Sequence, residues 1–254
     1  MNKRLPFILT LSLCGLAAAD DGSTPMMPDG SRDMYVGLAL AGRSAAAAGE
    51  DRPSALRLLL QARWSNGVFI SASGVAGIDL ANAAGVEYGP LLALSNSRSP
   101  NETRRLRGTQ AISDSPDGGG FFNLYLGNDM RLRSSVVYDT SAGGVRAEAG
   151  VQKSWSALAP HHTLSVSAGV SLADGAVMRE RFAVRRDLGG VRDYRPSAGV
   201  DAVTTGVNWN WELSSKWLVT SSLTAARLGS QAAASPVVER RNILLWSSGL
   251  AYRF

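Results

Sequence analysis

The chain has 254 residues, 45% of them hydrophobic, with 27 glycines and a formal net charge of +5, enough for one sizeable domain. Its single cysteine, Cys14, excludes a disulfide framework. So small a positive excess, without an RNP-like motif or aromatic–basic interleaving, argues against a nucleic-acid partner.

The first element is a leader. Lys3 and Arg4 precede an apolar stretch from Leu5 to Leu16, and Ala17-Ala18-Ala19 supplies a small-residue cleavage site before Asp20. This pattern is a secretory signal peptide over residues 1–19, leaving a single domain over 20–254. Read instead as a lipobox, "LSLC" would make Cys14 an acylated first residue, but Leu13 stands where a small residue is needed. No later apolar run approaches about 18 residues, so no helix is expected to span a membrane.

Beyond the leader the chain alternates with period two. In "SALRLLLQARW", Leu56, Leu58, Leu60, Ala62 and Trp64 oppose Arg57, Leu59, Gln61 and Arg63. Met130, Leu132, Val136 and Tyr138 oppose Arg131, Arg133, Ser135 and Asp139. Val145, Ala147, Ala149, Val151 and Trp155 oppose Arg146, Glu148, Gly150 and Gln152. Leu164, Val166, Ala168, Val170 and Leu172 face away from a row of serines, and Val207, Trp209, Trp211 and Leu213 from Asn208, Asn210 and Glu212. At "ARWSNGVFI" a three-residue Ser65-Asn66-Gly67 loop pairs Ala62 with Ile70 and keeps apolar opposite apolar, with Gly67 in the left-handed position.

The last run, "NILLWSSGLAYRF", sets Leu244, Trp246, Ser248, Leu250, Tyr252 and Phe254 against Leu245, Ser247, Gly249, Ala251 and Arg253. Trp246 to Phe254 spans about 26 Å at roughly 3.3 Å per residue. That is close to the apolar band of about 25 Å, flanked by aromatics, of an outer-membrane barrel. On this segment alone a half-buried strand of a soluble sandwich fits equally well. The leader and the recurrence of the alternation favour the barrel.

Strands are expected over 34–42, 55–64, 68–80, 86–96, 121–128, 130–139, 144–156, 163–173, 199–213, 216–228 and 242–254. Eleven runs cannot close an even-numbered barrel, so either a strand is missing, with "AVMRERFAVRR" the place to expect it, or one run is too many, the first being the weakest. The fold predicted is all-β, a closed antiparallel transmembrane β-barrel of 10–12 strands, of outer-membrane type. Its inward face would collect Arg57, Gln61, Arg63, Asp79, Asn123, Asp129, Arg131, Arg133, Asp139, Arg146, Glu148, Asn208, Asn210 and Glu212. Both charge signs in so narrow a lumen predict a self-neutralising network that fills it. A small-solute conduit is the alternative.

His161 and His162 are adjacent, so on a regular strand they point to opposite faces and cannot share a metal. They read as turn or interface residues; a barrel hydrolase would need partners from elsewhere in the chain. Residues 95–120 form a polar stretch in which Arg104, Arg105 and Arg107 could meet anionic lipopolysaccharide or an acidic partner. The basic cluster "MRERFAVRRDLGG" would either fold inward as a plug or continue a strand. Asn101-Glu102-Thr103 matches a glycosylation sequon by coincidence. No metal-ligand cluster, phosphate-cradling loop or nucleophile elbow is present, so no cofactor is expected.

The closing "RLGSQAAASPVVERRNILLWSSGLAYRF" resembles the MipA/OmpV family of outer-membrane proteins. Leu228, Ser235-Pro236, Arg241-Asn242, Gly249, Tyr252, Arg253 and Phe254 carry the likeness. "LRGTQAI", "GGGFF" and "VMRERFAV" fit less tightly, and Arg181-Phe182-Ala183 stands where the family has an aromatic pair before a glycine. The resemblance implies a non-enzymatic protein. It would tether a lytic transglycosylase and a murein synthase at the bacterial outer membrane; other relatives resemble adhesins or stress-responsive surface proteins. It also implies that Tyr252 and Phe254 are read by the barrel-assembly machinery. Outer-membrane lipid and lipopolysaccharide would surround the barrel.

Overall fold

In the computed structural model, which describes residues 26–44, 55–95, 98–101, 106–188 and 192–254, the strands close on themselves. They are β1 (Tyr35–Arg43), β2 (Ala55–Arg63), β3 (Val68–Ile70), β4 (Val75–Ile78), β5 (Val86–Ser95), β6 (Ser115–Tyr125), β7 (Met130–Asp139), β8 (Gly144–Ala159), β9 (His162–Ala173), β10 (Gly199–Glu212), β11 (Trp217–Leu228) and β12 (Asn242–Arg253). Each pairs with its chain neighbours, and β1 pairs antiparallel with β12 to complete a barrel of twelve strands. Closure leaves no free sheet edge along that seam, which is what a sheet in hydrocarbon requires.

The alternation sets the two faces. Leu38, Leu56, Leu58, Leu92, Leu94, Val136, Val203, Leu223 and Leu250 are all exposed on the outer wall, Leu94 by as much as 74%. A wall of exposed large apolar side chains on successive strands is what water-soluble monomers avoid, and it identifies a lipid-facing surface. Gln61, Glu87, Asp117, Arg131, Gln152 and Asn210 are buried on the inner side. Trp209 and Trp211 stack with His162 near one rim, where Trp217 meets Tyr252 edge-on, forming part of an interfacial aromatic girdle.

The connections divide by length. Those at 64–67, 79–85, 126–129, 160–161 and 213–216 are short and lie at the rim that holds both chain ends of the barrel. The longer ones leave the other rim after Arg43, Ser95, Ala173 and Leu228, joined there by the tight 140–143 turn. Short periplasmic turns and longer external loops are the rule for such barrels, so the first rim is periplasmic and the second external.

Three expectations are corrected. "AVMRERFAVRR" is no strand: Gly175–Phe182 form helix α1, capped by Asp174, so of the two readings of this cluster the inward plug holds. The extra strand lies instead in the run 68–80, which Ser71–Gly74 folds into the β3–β4 hairpin, with Gly74 at φ +84°. Polar-to-apolar alternation continues through that turn, so parity alone cannot see it. Finally, β6 begins at Ser115, six residues before the expected Phe121. Gly118, Gly119 and Gly120 pair with Leu92, Leu91 and Pro90, but a glycine run has no side chains with which to announce a strand. The predicted Ala62–Ile70 register is the one observed, with Gly67 at φ +83°.

Candidate functional site: a lumen entered from both ends

The barrel's functional geometry lies inside it. At the periplasmic end residues 26–34 enter the lumen as a turn, Met27-Pro28-Asp29-Gly30, closed by the Gly30 N–H donating to the Met27 carbonyl at 2.8 Å. Proline and glycine suit the second and fourth positions of such a turn. Gly30 takes φ +84°, and a Cβ there would come within 2.3 Å of Ser165 Oγ.

The wall holds this segment mainly by its backbone. Arg131 donates to the carbonyls of Met26 at 2.5 Å and Met27 at 2.9 Å, while Gln152 receives the same guanidinium and donates to Pro28 O at 3.2 Å. Ser154 donates to the Gly30 carbonyl and Ser165 to that of Asp29. The Asp29 carboxylate accepts from Tyr35 at 3.0 Å and from Asn210 at 3.3 Å. Strands β6 to β10 all contribute, and Met26, Met27 and Ser31 are buried as a result. Lower still, Arg253 bridges Asp33 at 2.9 Å and Glu212 at 2.8 Å. Burial raises the Asp33 pKa above its ordinary value, opposed by its bond to Arg253.

Beside this segment, toward the same periplasmic rim, lies the mixed-sign network expected from the sequence. Arg63 pairs with Asp79 and, at 2.6 Å, with Glu87. Glu87 also accepts from Asn123 and Tyr125, both at 3.0 Å, and lies 4.0 Å from Arg131. A charge taken out of water is tolerated only when so surrounded. Side chains alone do not fill the space, however. Tyr35, Ala39, Leu59, Leu218 and Ala251 form an apolar cluster beside the β1–β12 seam, and segments entering from each end occupy more of it.

At the external end α1 folds inward, with Val177, Met178 and Phe182 buried against Ala173, Ala202 and Leu228 and against Ala232 of a short helix α2 (Ser230–Ala233). Asp174 accepts the Ala176 and Val177 N–H groups at 2.9 Å, and the bond from Val177 leads the causes that hold its carboxyl below the ordinary value. At the other end of α1, Arg98 donates to the Glu180 and Arg181 carbonyls, a cation placed at the negative end of the helix dipole. Arg181 reaches down to Asp139 at 3.9 Å and Asp201 at 3.8 Å on the barrel wall.

The residues singled out from sequence are spread over rim and lumen. Tyr252 and Phe254 lie at the periplasmic rim, facing outward and partly exposed. The Tyr252 ring sits 5.4 Å from that of Trp217, with Lys216 Nζ 5.8 Å from its centroid. His161 occupies a tight turn at φ +66°, 3.7 Å from Glu212, and His162 accepts from Trp209 at 3.1 Å. Both histidines are thus turn and rim residues. Arg107 is exposed on the external side. Arg104, Arg105, the sequon residues Glu102 and Thr103, Cys14 and the leader lie outside the described residues. Asp129 pairs with Lys153 at the rim rather than in the lumen. Among the described residues no group of three or more His, Cys, Asp or Glu is placed to share a metal.

Sequence reasoning misses the internal plug, Glu87 and Tyr125. A signal for the plug is present: "MPDGS" is a turn sequence with a mechanism, ahead of the first strand. Glu87 and Tyr125 are readable by parity, since each alternates with outward apolar neighbours in its strand.

An apolar outer wall, a polar interior and closed strands define an outer-membrane β-barrel, here with its lumen occupied from both sides. Residues 36–254 match the family described as MltA-interacting protein MipA, and the chain belongs to that family. It resides in the bacterial outer membrane. No curated protein matches the sequence significantly. Among solved structures the chain is similar to the NanC porin, at 9% identity and TM-score 0.49, covering 86% of this chain and 100% of the porin. It is also similar to an outer membrane channel from Pseudomonas putida F1, at 11% identity and TM-score 0.42, covering 93% and 100%. OmpT of Vibrio cholerae is similar at 7% identity and TM-score 0.39, covering 87% and 98%. The class rests on the barrel's own geometry and the family on the sequence match.

Proposed function

We propose that this protein is a non-enzymatic scaffold, which holds a lytic transglycosylase and a murein synthase together beneath the outer membrane. The observation that carries the reading is the lumen entered at both ends by packed segments, residues 26–34 and α1, which suits a wall that supports partners better than one that passes solutes. The description of its family as MltA-interacting points to the transglycosylase. The docking surface would be the periplasmic rim, where Arg32 donates to the Asn128 carbonyl and the Asp129–Lys153 pair lies open to solvent.

Crosslinking in intact envelopes tests this directly. Recovery of a murein hydrolase and a murein synthase with the barrel is the expected result; their absence sinks the scaffold reading and leaves the fold intact. Ohmic single-channel steps in planar bilayers would instead favour a narrow channel. Two further parts belong to the same reading. Residues 1–19 are removed on export, so sequencing of the mature protein should begin at Asp20. Tyr252 and Phe254 form the signal read by the assembly machinery. Phe254→Ser should therefore leave chains uninserted, whereas Phe254→Tyr should insert normally.

A further inference from the structure

The external mouth carries a cleft that the scaffold reading does not use. It has a volume of about 170 Å³ and is lined by Gly108, Gln110, Arg179, Ala183, Arg185 and Arg195. A wider opening of about 470 Å³ adjoins it through Arg185 and Arg195 and brings in Arg186, Asp187 and Asp193.

We propose that the narrower cleft is a binding site for a phosphomonoester, with Arg179, Arg185 and Arg195 as its ligands. Three arginines converge there on a lining without a carboxylate. Guanidinium groups present paired N–H donors that match phosphate oxygens, which the point charge of a lysine does not. Charge matching narrows the ligand further. Arg185 already holds Asp187, with Nε donating to Oδ1 at 3.0 Å, and Arg179 acts on the nearby Asp174 carboxylate, so the three guanidinium charges are only partly neutralised. A phosphomonoester carries about −1.5 to −2 at neutral pH, whereas a carboxylate carries one.

The cleft is also held in shape before any ligand arrives. Val184 and Tyr194 exchange backbone hydrogen bonds at 3.0 and 2.8 Å, and the Arg185 N–H donates to Gly108 O at 2.8 Å. The Arg186 N–H is fixed by Asp193 at 2.9 Å. Beneath them Leu106, Val184 and Val237 form a small core, each no more than 3% exposed. Binding then orders few groups, and little affinity is lost to ordering. On the external rim a phosphomonoester has two sources, a phosphorylated glycolipid headgroup of the outer leaflet or a soluble sugar phosphate.

The test uses the mature protein in detergent micelles, with bisphosphoryl lipid A and its dephosphorylated form as probes, and glucose 1-phosphate and glucuronate as competitors. Native mass spectrometry should show lipid A retained and the dephosphorylated lipid at least tenfold weaker. The double substitution R179Q/R195Q should weaken lipid A about tenfold or more, while R192Q, an exposed arginine outside the cleft, should bind as the wild type does. Glucose 1-phosphate should compete at least tenfold better than glucuronate. Displacement of lipid A by glucose 1-phosphate at equal concentration assigns the site to a soluble ester, and resistance to displacement assigns it to the lipid headgroup. Equal binding of the dephosphorylated lipid, undiminished binding by R179Q/R195Q, an equal loss in R192Q, or equal competition by glucuronate each overturns the proposal. Should the double variant fail to fold by heat-modified mobility, R195A, a change at an exposed residue, serves in its place.

Discussion

Single residues carry more of this barrel than their chemistry first suggests. Gly249 sits in the closing seam opposite Ala39, and a Cβ there would meet the Leu38 carbonyl oxygen at 2.4 Å. Gly249→Val should cost about 1–3 kcal/mol through this overpacking, read as a lower urea midpoint for refolding in detergent; an unchanged midpoint would show that the seam can spread. His161 holds a left-handed backbone that costs a non-glycine residue roughly 1–2 kcal/mol. His161→Gly should therefore leave stability equal or raised despite the lost contact with Glu212. Asp174 gives the pH dependence. Its pKa is lowered in the folded protein from an ordinary 3.8, first by the Val177 N–H. The cap is thus fully present above that value and lost as the pH falls through the lowered one. Hydrogen exchange should show α1 opening as the pH is taken below about 4. Asp174→Ala should open it by about 1 kcal/mol at neutral pH and remove the acid response.

At the scale of elements, what the sequence reveals depends on whether an element has a patterned side-chain face. Strands β7 to β12 alternate over ten residues or more and are legible to within a few residues of their ends. The glycines of β6 hide its first half, and the β3–β4 hairpin is hidden because its turn keeps parity. Helix α1 escapes notice as a helix because only Val177, Met178 and Phe182 are buried among arginines and a glutamate, too few to set a period. The plug shows only its turn in the sequence, for another reason: the wall grips its carbonyls, which every residue has. That grip makes a prediction. Arg131 and Gln152 supply three of its bonds, and hydrogen bonds from a charged donor contribute roughly 1.5–3 kcal/mol each. The pair of changes Arg131→Ala and Gln152→Ala should free the segment and raise single-channel conductance above that of the wild type. If conductance stays at the wild-type level, the external plug alone suffices to close the lumen.

For the whole molecule, the outer wall sets the behaviour. The exposed leucines and tryptophans require detergent or lipid, and the heated and unheated protein should migrate differently on a gel, as a closed barrel resists unfolding. The overall class is legible because two independent signals agree, an N-terminal stretch patterned like an export leader and a repeated dyad. The candidate sites are much less so. Their geometry depends on loops and a terminal segment whose positions only the closed wall defines. Lys153 and Lys216 both stand at the periplasmic rim beside aromatic rings, while the external loops rely on arginine.

The segment from Met26 to Asp33 touches five successive strands from within and runs directly into β1, the strand that completes the circle with β12. Threading a peptide into a finished cylinder and aligning each of its carbonyls would be slow. The geometry is simpler if the leading end lies against the growing hairpins and the last two strands zip together around it. On that view the protein encloses its own beginning, and the final pairing is also the moment at which the passage shuts.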